Sequence, residues 1–365
     1  MVGTYLKRLG FFNELNATAW IAGVAYLIYS GGVLVLLKAF AVALAVALLY
    51  RFAVRSGSNR VKPFSNAAIL ITGTSTGIGA TSAVNFATQG FTVFATVRKA
   101  ADGEKTKAAA PAAVRDRIVP VVLDVNDADS VNAAAKTVGA EIEKRGLALQ
   151  SVINNAGFTV NGVLEYVTRE QMLSQFNTNV FGVLSVTNAF LPLLRAARGR
   201  TSAPPSVVFI SSVGGKITVP VSGLYTATKH ALESLAEAYK IELAPQGISS
   251  VLVEPGATES AFTAHLFSSA EASMGDIAVD ADTRAQYRSF TDGFTAAVEQ
   301  TFFFPAEYVA DTLAEAVTSS EPHVRYRATP DAHVGLALLA LLPDSFYLTI
   351  MALAAKAQLK KKRNA

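Results

Sequence analysis

Apolar and polar positions divide the chain into three stretches. From Ala17 to Tyr50 the single charged residue is Lys38. A bilayer span needs roughly 20 apolar residues. The run exceeds that, yet it is short for two full spans and a turn. Gly31-Gly32 marks a break, so the best single span is Gly32 to Arg51. Ala17 to Tyr29 then reads as a tilted second crossing or an interfacial helix, with Trp20, Tyr26, Tyr29 and Tyr50 suited to the interface. A cleaved signal peptide and a buried soluble helix compete with this reading. The first is disfavoured by the length of the run and the lack of a small-residue cleavage site. In the middle stretch, short apolar runs alternate with helical segments. Strands are predicted at Ala67–Ile71, Phe91–Val97, Val119–Leu123, Gln150–Ile153, Val207–Ile210, Ser249–Val253 and His323–Tyr326. Helices are predicted up to about Gln89, over Leu224–Leu243 and over Ala306–Thr318. The last stretch, Val334 to Lys356, is apolar but interrupted by Pro343-Asp344. It reads as two short helices lying on a membrane or on the domain surface rather than as a span.

Composition strengthens the membrane reading. Hydrophobic residues make up 51% of the 365 and charged residues only 16%, too apolar for an ordinary soluble domain. The net charge is +4, and the basic residues gather beside the apolar ends: Arg51, Arg55, Arg60 and Lys62, then Lys360 to Arg363. Such placement suits a membrane flank rather than a nucleic-acid face, and it puts the main domain on the cytosolic side. The basic end suits anionic lipid and resembles a dibasic endoplasmic-reticulum retrieval signal, although arginine stands third from last. The predicted organisation is an anchor over 1–55, a linker over 56–66, a main domain over 67–329 and membrane-associated helices with a basic tail over 330–365. With no cysteine, disulfides, thiolate catalysis and cysteine metal sites are excluded, and four scattered histidines give no metal-ligand spacing.

The strand ends carry the first candidate chemistry. After Ile71 come Thr72-Gly73-Thr74-Ser75-Thr76-Gly77-Ile78-Gly79 and a helix. Strand, glycine turn and helix form the context of a dinucleotide site: glycines admit the pyrophosphate, and the helix N-terminus favours the anion. The second strand ends in Arg98-Lys99, where an acidic residue would take a ribose 2′-hydroxyl and an arginine suits a 2′-phosphate. NADP(H) is therefore the expected cofactor. Asp124-Val125 and Asn154-Asn155-Ala156-Gly157 follow the next two strands, at the ligand crevice of an open parallel sheet.

The second candidate is a pair. Tyr225 and Lys229 stand one helical turn apart on one face. An ammonium beside a phenol favours the phenolate and is expected to lower the tyrosine pKa. Ser212, thirteen positions before Tyr225, follows a strand and offers a hydroxyl to a carbonyl oxygen. His230 beside this pair reads as a helix-surface or packing residue.

With these residues in place, the chain resembles the short-chain dehydrogenase/reductase family. The motifs are the glycine turn Thr72–Gly79, Asn154–Gly157, Asn179 in Asn-Val-Phe-Gly, Ser212, Tyr225-x-x-x-Lys229 and Pro255-Gly256, in order and at the family's spacings. The resemblance spans Ala67 to Thr329. It implies an α/β doubly wound parallel sheet, a Rossmann fold, here with the N-terminal transmembrane segment and apolar C-terminal helices added. It implies nicotinamide chemistry with Asn179, Ser212, Tyr225 and Lys229 as the catalytic tetrad. The cofactor-binding set comprises Gly73, Thr74, Ser75, Gly77, Ile78, Gly79, Arg98, Asp124, Val125, Asn155, Ala156, Gly157, Tyr225, Lys229, Pro255, Gly256 and Thr258. Within the family, Ala95-Thr-Val-Arg98 and Val253-Glu-Pro-Gly256 look most like members acting on steroids and retinoids. One departure is Thr76, where many NADP-preferring members carry a basic residue, so the NADP reading rests on Arg98.

The segment between Pro255 and Pro305 is where the family builds its substrate lid. It carries Phe262, Leu266, Phe267, Met274, Phe290, Phe294 and Phe302-Phe303-Phe304. The reading is thus a membrane-anchored NADP(H)-dependent oxidoreductase of a lipophilic ketone, aldehyde or alcohol. One alternative is a lipid-biosynthetic ketoreductase of the 3-ketosphinganine or ketoacyl type. Another is a cofactor-binding membrane scaffold without turnover, against which the intact Ser212, Tyr225 and Lys229 argue. The expected partners are a lipophilic small molecule and membrane lipid but no nucleic acid; a homodimer is left open.

Overall fold

The computed structural model describes residues 59–259, 280–299, 301–340, 347–349 and 352. The N-terminal apolar run, the segment 260–279 with Phe262, Leu266, Phe267 and Met274, the Pro343-Asp344 interruption and the basic tail lie outside the described residues.

The strands are β1 Ala67–Ile71, β2 Thr92–Val97, β3 Ile118–Val122, β4 Ala148–Asn154, β5 Ser206–Ile210, β6 Ser249–Glu254 and β7 Arg325–Arg327. They form one parallel sheet in the order β3-β2-β1-β4-β5-β6-β7. Burial on both faces explains why β1, β2, β4 and β5 are buried along their whole length instead of alternating.

Helices cover both faces. One layer comprises α3 (Ala128–Arg145), α5 (Gly182–Ala196) and α6 (Gly223–Leu243). Val138, Phe190 and Leu232 of these helices join Leu70 and Phe209 of the sheet in one core cluster. The other layer contains α1 (Gly77–Thr88) and α8 (Glu307–Thr318), whose Phe86 and Leu313 meet Ile69, Ile71 and Val208. Burying a side chain such as Ile69, fully enclosed here, contributes about 1.5–3 kcal/mol. The remaining helices are α2 (Ala100–Ala109), α4 (Arg169–Phe176), α7 (Ala281–Glu299) and α9 (Pro330–Leu339).

Local chemistry sets several ends. Asp127 caps α3 through the amides of Asp129 and Ser130, and Gly146 closes it at φ +65°. Thr168 and Gln171 form a reciprocal capping box on α4. Helix α4 runs through a wide π turn at Asn177–Phe181 into α5. The resulting helix Arg169–Ala196 is the one helix among the described residues long and apolar enough to cross a membrane, and half of its most apolar window is buried inside the fold.

Several boundaries differ from the sequence reading. The last strand starts at Arg325 rather than His323, whose amide donates instead to the Tyr326 hydroxyl at 3.0 Å. Helix α9 starts at Pro330, which fits a first helical position, rather than at Val334. Residues 59–62 lie along α8 and the turn after it: the Val61 amide donates to the Thr318 carbonyl, and Arg60 donates to the Asp311 carbonyl.

Candidate active site

The sheet reverses its winding between β1 and β4, and a cleft of about 680 Å³ opens at the C-terminal strand ends there. Gly73, Ser75, Gly77, Ile78 and Gly79 line it after β1. Gly73 and Gly77 hold φ of +69° and +56°, a region that favours glycine. A methyl on Gly79 would lie 2.3 Å from the Gly73 carbonyl oxygen, so only hydrogen fits. No side chain caps the start of α1 and its first turn holds no acid, leaving that N-terminus open to an anion.

Thr72 ties this turn to the β4 end. Its hydroxyl accepts from the amides of Asn155 and Ala156, both at 2.9 Å. The Asn155 amide group donates to the carbonyls of Thr72 and Gly73. Asn155, Ala156 and Gly157 thus reach the cleft as predicted. Thr74 does not. Its side chain turns inward and its hydroxyl donates to the Thr96 carbonyl at 3.1 Å, while Thr106 donates to the Thr74 carbonyl. Thr74 therefore braces the turn instead of lining the cleft.

Arg98 stands exposed at the end of β2 and on the cleft wall, with Asp124 and Val125 beyond β3. The Asp124 carboxylate accepts from the Asn126 amide at 3.0 Å. The Val125 carbonyl fixes Gly182, where a methyl would come within 2.8 Å of it.

Ser212, Tyr225 and Lys229 line the same cleft. Ser212 follows β5, and its Oγ accepts from the Gly214 amide at 3.1 Å. Tyr225 and Lys229 lie on α6, with the ammonium 5.5 Å from the centre of the phenol ring. Lys229 is buried and donates to the Ile210 carbonyl at 2.7 Å. Burial pushes the Tyr225 hydroxyl up to about 12, and its hydrogen bond with Ser212 works in the other direction. Burial pulls Lys229 down to about 8, opposed by the charge of Glu233. The expectation that Lys229 lowers Tyr225 is therefore not met in the protein alone. Desolvation weighs on both groups, and the phenol stays protonated through neutral pH.

Asn179 lies at the π turn. Its Oδ1 accepts from the Phe158 amide, and its Nδ2 donates to the Phe158 carbonyl and to Thr228 Oγ1. It braces the loop after Gly157 and does not line the cleft.

Pro255, Gly256 and Thr258 line the cleft after β6. The Gly256 amide donates to Thr329 Oγ1 and the Ala257 amide to the Asp331 carboxylate. Asp331 belongs to the stretch read from sequence as membrane-associated, and nothing in the linear pattern tied it to this loop. Phe303 also lines the cleft, while Phe302 beside it is 72% exposed. Val221, between Ser212 and Tyr225, holds φ +65°, a rare conformation for a β-branched residue, and its carbonyl accepts from the Gly162 amide.

An open parallel sheet with a glycine cradle at its switch point and a serine, tyrosine and lysine lining the same cleft defines a dinucleotide-type α/β protein. The profile of the short chain dehydrogenase family matches residues 67–271. The chain is 33% identical over 276 residues to the uncharacterized oxidoreductase YbbO of Escherichia coli (strain K12), covering 75% of this chain and 90% of that protein. It is 36% identical over 195 residues to a 3-ketodihydrosphingosine reductase of Bacteroides thetaiotaomicron, covering 53% of this chain and 65% of that one. A solved short-chain dehydrogenase from Streptomyces avermitilis superposes with TM-score 0.60 at 28% identity, covering 80% and 98% of the two chains. The protein belongs to the short-chain dehydrogenase/reductase family, an oxidoreductase family whose fold binds NAD(P)(H).

Proposed function

We propose that this protein is a membrane-associated, NADP(H)-dependent oxidoreductase that interconverts a lipophilic ketone or aldehyde and its alcohol. The observation that carries the reading is the cleft itself, which Ser212, Tyr225 and Lys229 line together with the glycine turn. Ser75, Gly77, Ile78 and Gly79 would hold the pyrophosphate at the open start of α1, and Arg98 a 2′-phosphate. Asp124, Val125, Asn155, Ala156 and Gly157 would line the nucleoside, with Lys229 at the nicotinamide ribose and Pro255, Gly256 and Thr258 at the carboxamide. The cofactor, when bound, supplies the hydride that reduces the carbonyl carbon.

Negative charge then grows on the substrate oxygen. Tyr225, protonated at neutral pH, gives that oxygen its proton, and Ser212 Oγ holds it where charge develops. Lys229 in its cationic form stabilises the phenolate left behind. Asn179 acts at one remove, fixing the loop at Phe158.

Arg98→Ala is expected to raise the KM for NADPH at least about tenfold while barely changing that for NADH. Charge-assisted hydrogen bonds contribute about 1.5–3 kcal/mol. Steady-state kinetics with both cofactors check this, and equal effects would remove Arg98 from the site.

For the substrate, the relative named a 3-ketodihydrosphingosine reductase supports a long-chain keto lipid. The steroid and retinoid reading rests on Ala95–Arg98 and Val253–Gly256. The apolar run before Arg51 supports anchoring, and the basic residues after it support a cytosolic face, at the endoplasmic reticulum in a cell that has one. A membrane-dissolved substrate would enter past Phe302 and Phe303, gaining about 25 cal/mol per Å² of apolar surface buried. In a series of ketones of increasing chain length, kcat/KM for NADPH-dependent reduction should rise. A flat or falling series would sink the lipophilic-substrate claim.

A further inference from the structure

Helix α6 carries another buried ionisable residue one turn beyond Lys229. Glu233 is 4% exposed and does not line the cleft. We propose that Glu233 is a positioning residue that holds Lys229 in its cationic form, and that Lys216 and Arg325 limit how strongly it does so. Its value to the reaction rests on the carbonyl-reductase reading above.

The geometry begins with the i, i+4 spacing, which sets both side chains on one buried face of α6. The two carboxylate oxygens of Glu233 differ. Oε2 accepts from Lys216 Nζ at 2.8 Å and from Arg325 Nη2 and Nε at 3.1 and 3.2 Å. Oε1 is buried without a hydrogen-bond partner among the described residues, as is Ser211 Oγ. A methyl on Gly215 would lie 2.6 Å from Ser211 Oγ and 3.0 Å from Glu233 Oε1, so the two atoms face one small space. Ser211 directly follows Ile210, whose carbonyl receives the Lys229 ammonium. The uncommitted oxygen of Glu233 therefore lies against the strand end that holds Lys229.

Three acids and three bases meet around it, and burial together with the charge of Glu233 holds the Glu254 carboxyl above the usual carboxylate range. Glu233, Glu237 and Glu254 face Lys216, Arg325 and Arg327: Arg325 pairs with Glu237 and lies 3.4 Å from Glu254, and Arg327 lies 4.0 Å from Glu254. Neutralising Glu233 makes this cluster more positive beside Lys229 and disfavours the ammonium. Removing the charge of Lys216 makes it more negative and favours the ammonium. The two changes act with opposite signs, which a purely structural role for Glu233 would not produce.

The test is the pH dependence of Lys229 acylation by acetic anhydride, read by peptide mass spectrometry on the full-length protein without cofactor. Glu233→Gln should move the midpoint down by about one pH unit or more, the size of effect a neighbouring charge exerts. Lys216→Met should move it up. The alkaline limb of ketone reduction should shift in the same two directions. Midpoints that stay at the wild-type value, or that move together, overturn the proposal. If Glu233→Gln fails to fold, Lys216→Met, altered at a partly exposed side chain, decides alone. Labelling needs no turnover, so a wild-type protein that reduces no ketone would sink the functional reading while leaving this result interpretable.

Discussion

Tyr225→Phe is expected to lower turnover by about 10²–10⁴-fold, the range that general acid catalysis contributes, while leaving the fold and cofactor affinity close to wild type. The substitution removes one oxygen from the cleft wall and keeps the ring beside Lys229. The loss should fall on kcat, because the proton is needed as charge develops on the substrate oxygen and not when substrate binds. Burial keeps the phenol protonated, so the deficit should persist across neutral pH. Single-turnover kinetics with a cofactor titration check this. Near-normal turnover in the variant would show that the proton comes from elsewhere.

Gly79→Ala should have the next largest effect, and it acts on the glycine turn. The added methyl would meet the Gly73 carbonyl oxygen at 2.3 Å and Asn155 Nδ2 at 2.6 Å. Neither neighbour can withdraw freely. Gly73 sits at φ +69° with Ala156 close behind it, and Asn155 donates to the Thr72 and Gly73 carbonyls. The turn must open, and overpacking of this kind costs about 1–3 kcal/mol. Cofactor affinity should fall at least about tenfold, since 1.4 kcal/mol is a factor of ten. The Tm should fall too, by about 2–4 °C per kcal/mol for a domain of this size. Fluorescence titration with NADPH and a thermal melt measure both. Wild-type values in each would mean that the turn has room that the glycine geometry denies.

Much of the sheet was legible because its strands are short apolar runs ending in small polar residues, and that pattern follows directly from burial on both faces. That the glycine turn, Arg98, Tyr225 and Lys229 meet at one cleft was legible for a related reason: each follows a strand end or a helical turn that the local pattern marks. Contacts across long sequence separations were not. Asp331 holds the Ala257 amide from 74 residues away, and Arg325 reaches Glu233 across 92. Thr74 shows the converse. It stands inside the glycine turn, yet its φ-positive neighbour Gly73 turns the chain so that its hydroxyl points into the scaffold. The Tyr225 shift runs upward because burial outweighs the hydrogen bond with Ser212, and spacing along the chain does not reveal burial.

Hydride transfer to a lipophilic carbonyl, proposed for the cleft that the glycine turn and Tyr225 line, can be read by isotope labelling. Purified protein is given a long-chain ketone and NADPH carrying deuterium at both C4 positions of the dihydronicotinamide, and the product is read by mass spectrometry. The expected product is an alcohol carrying deuterium at the former carbonyl carbon, formed by the wild type and nearly absent with Tyr225→Phe. An unlabelled alcohol, or ketone recovered unchanged across the whole chain-length series, would contradict it.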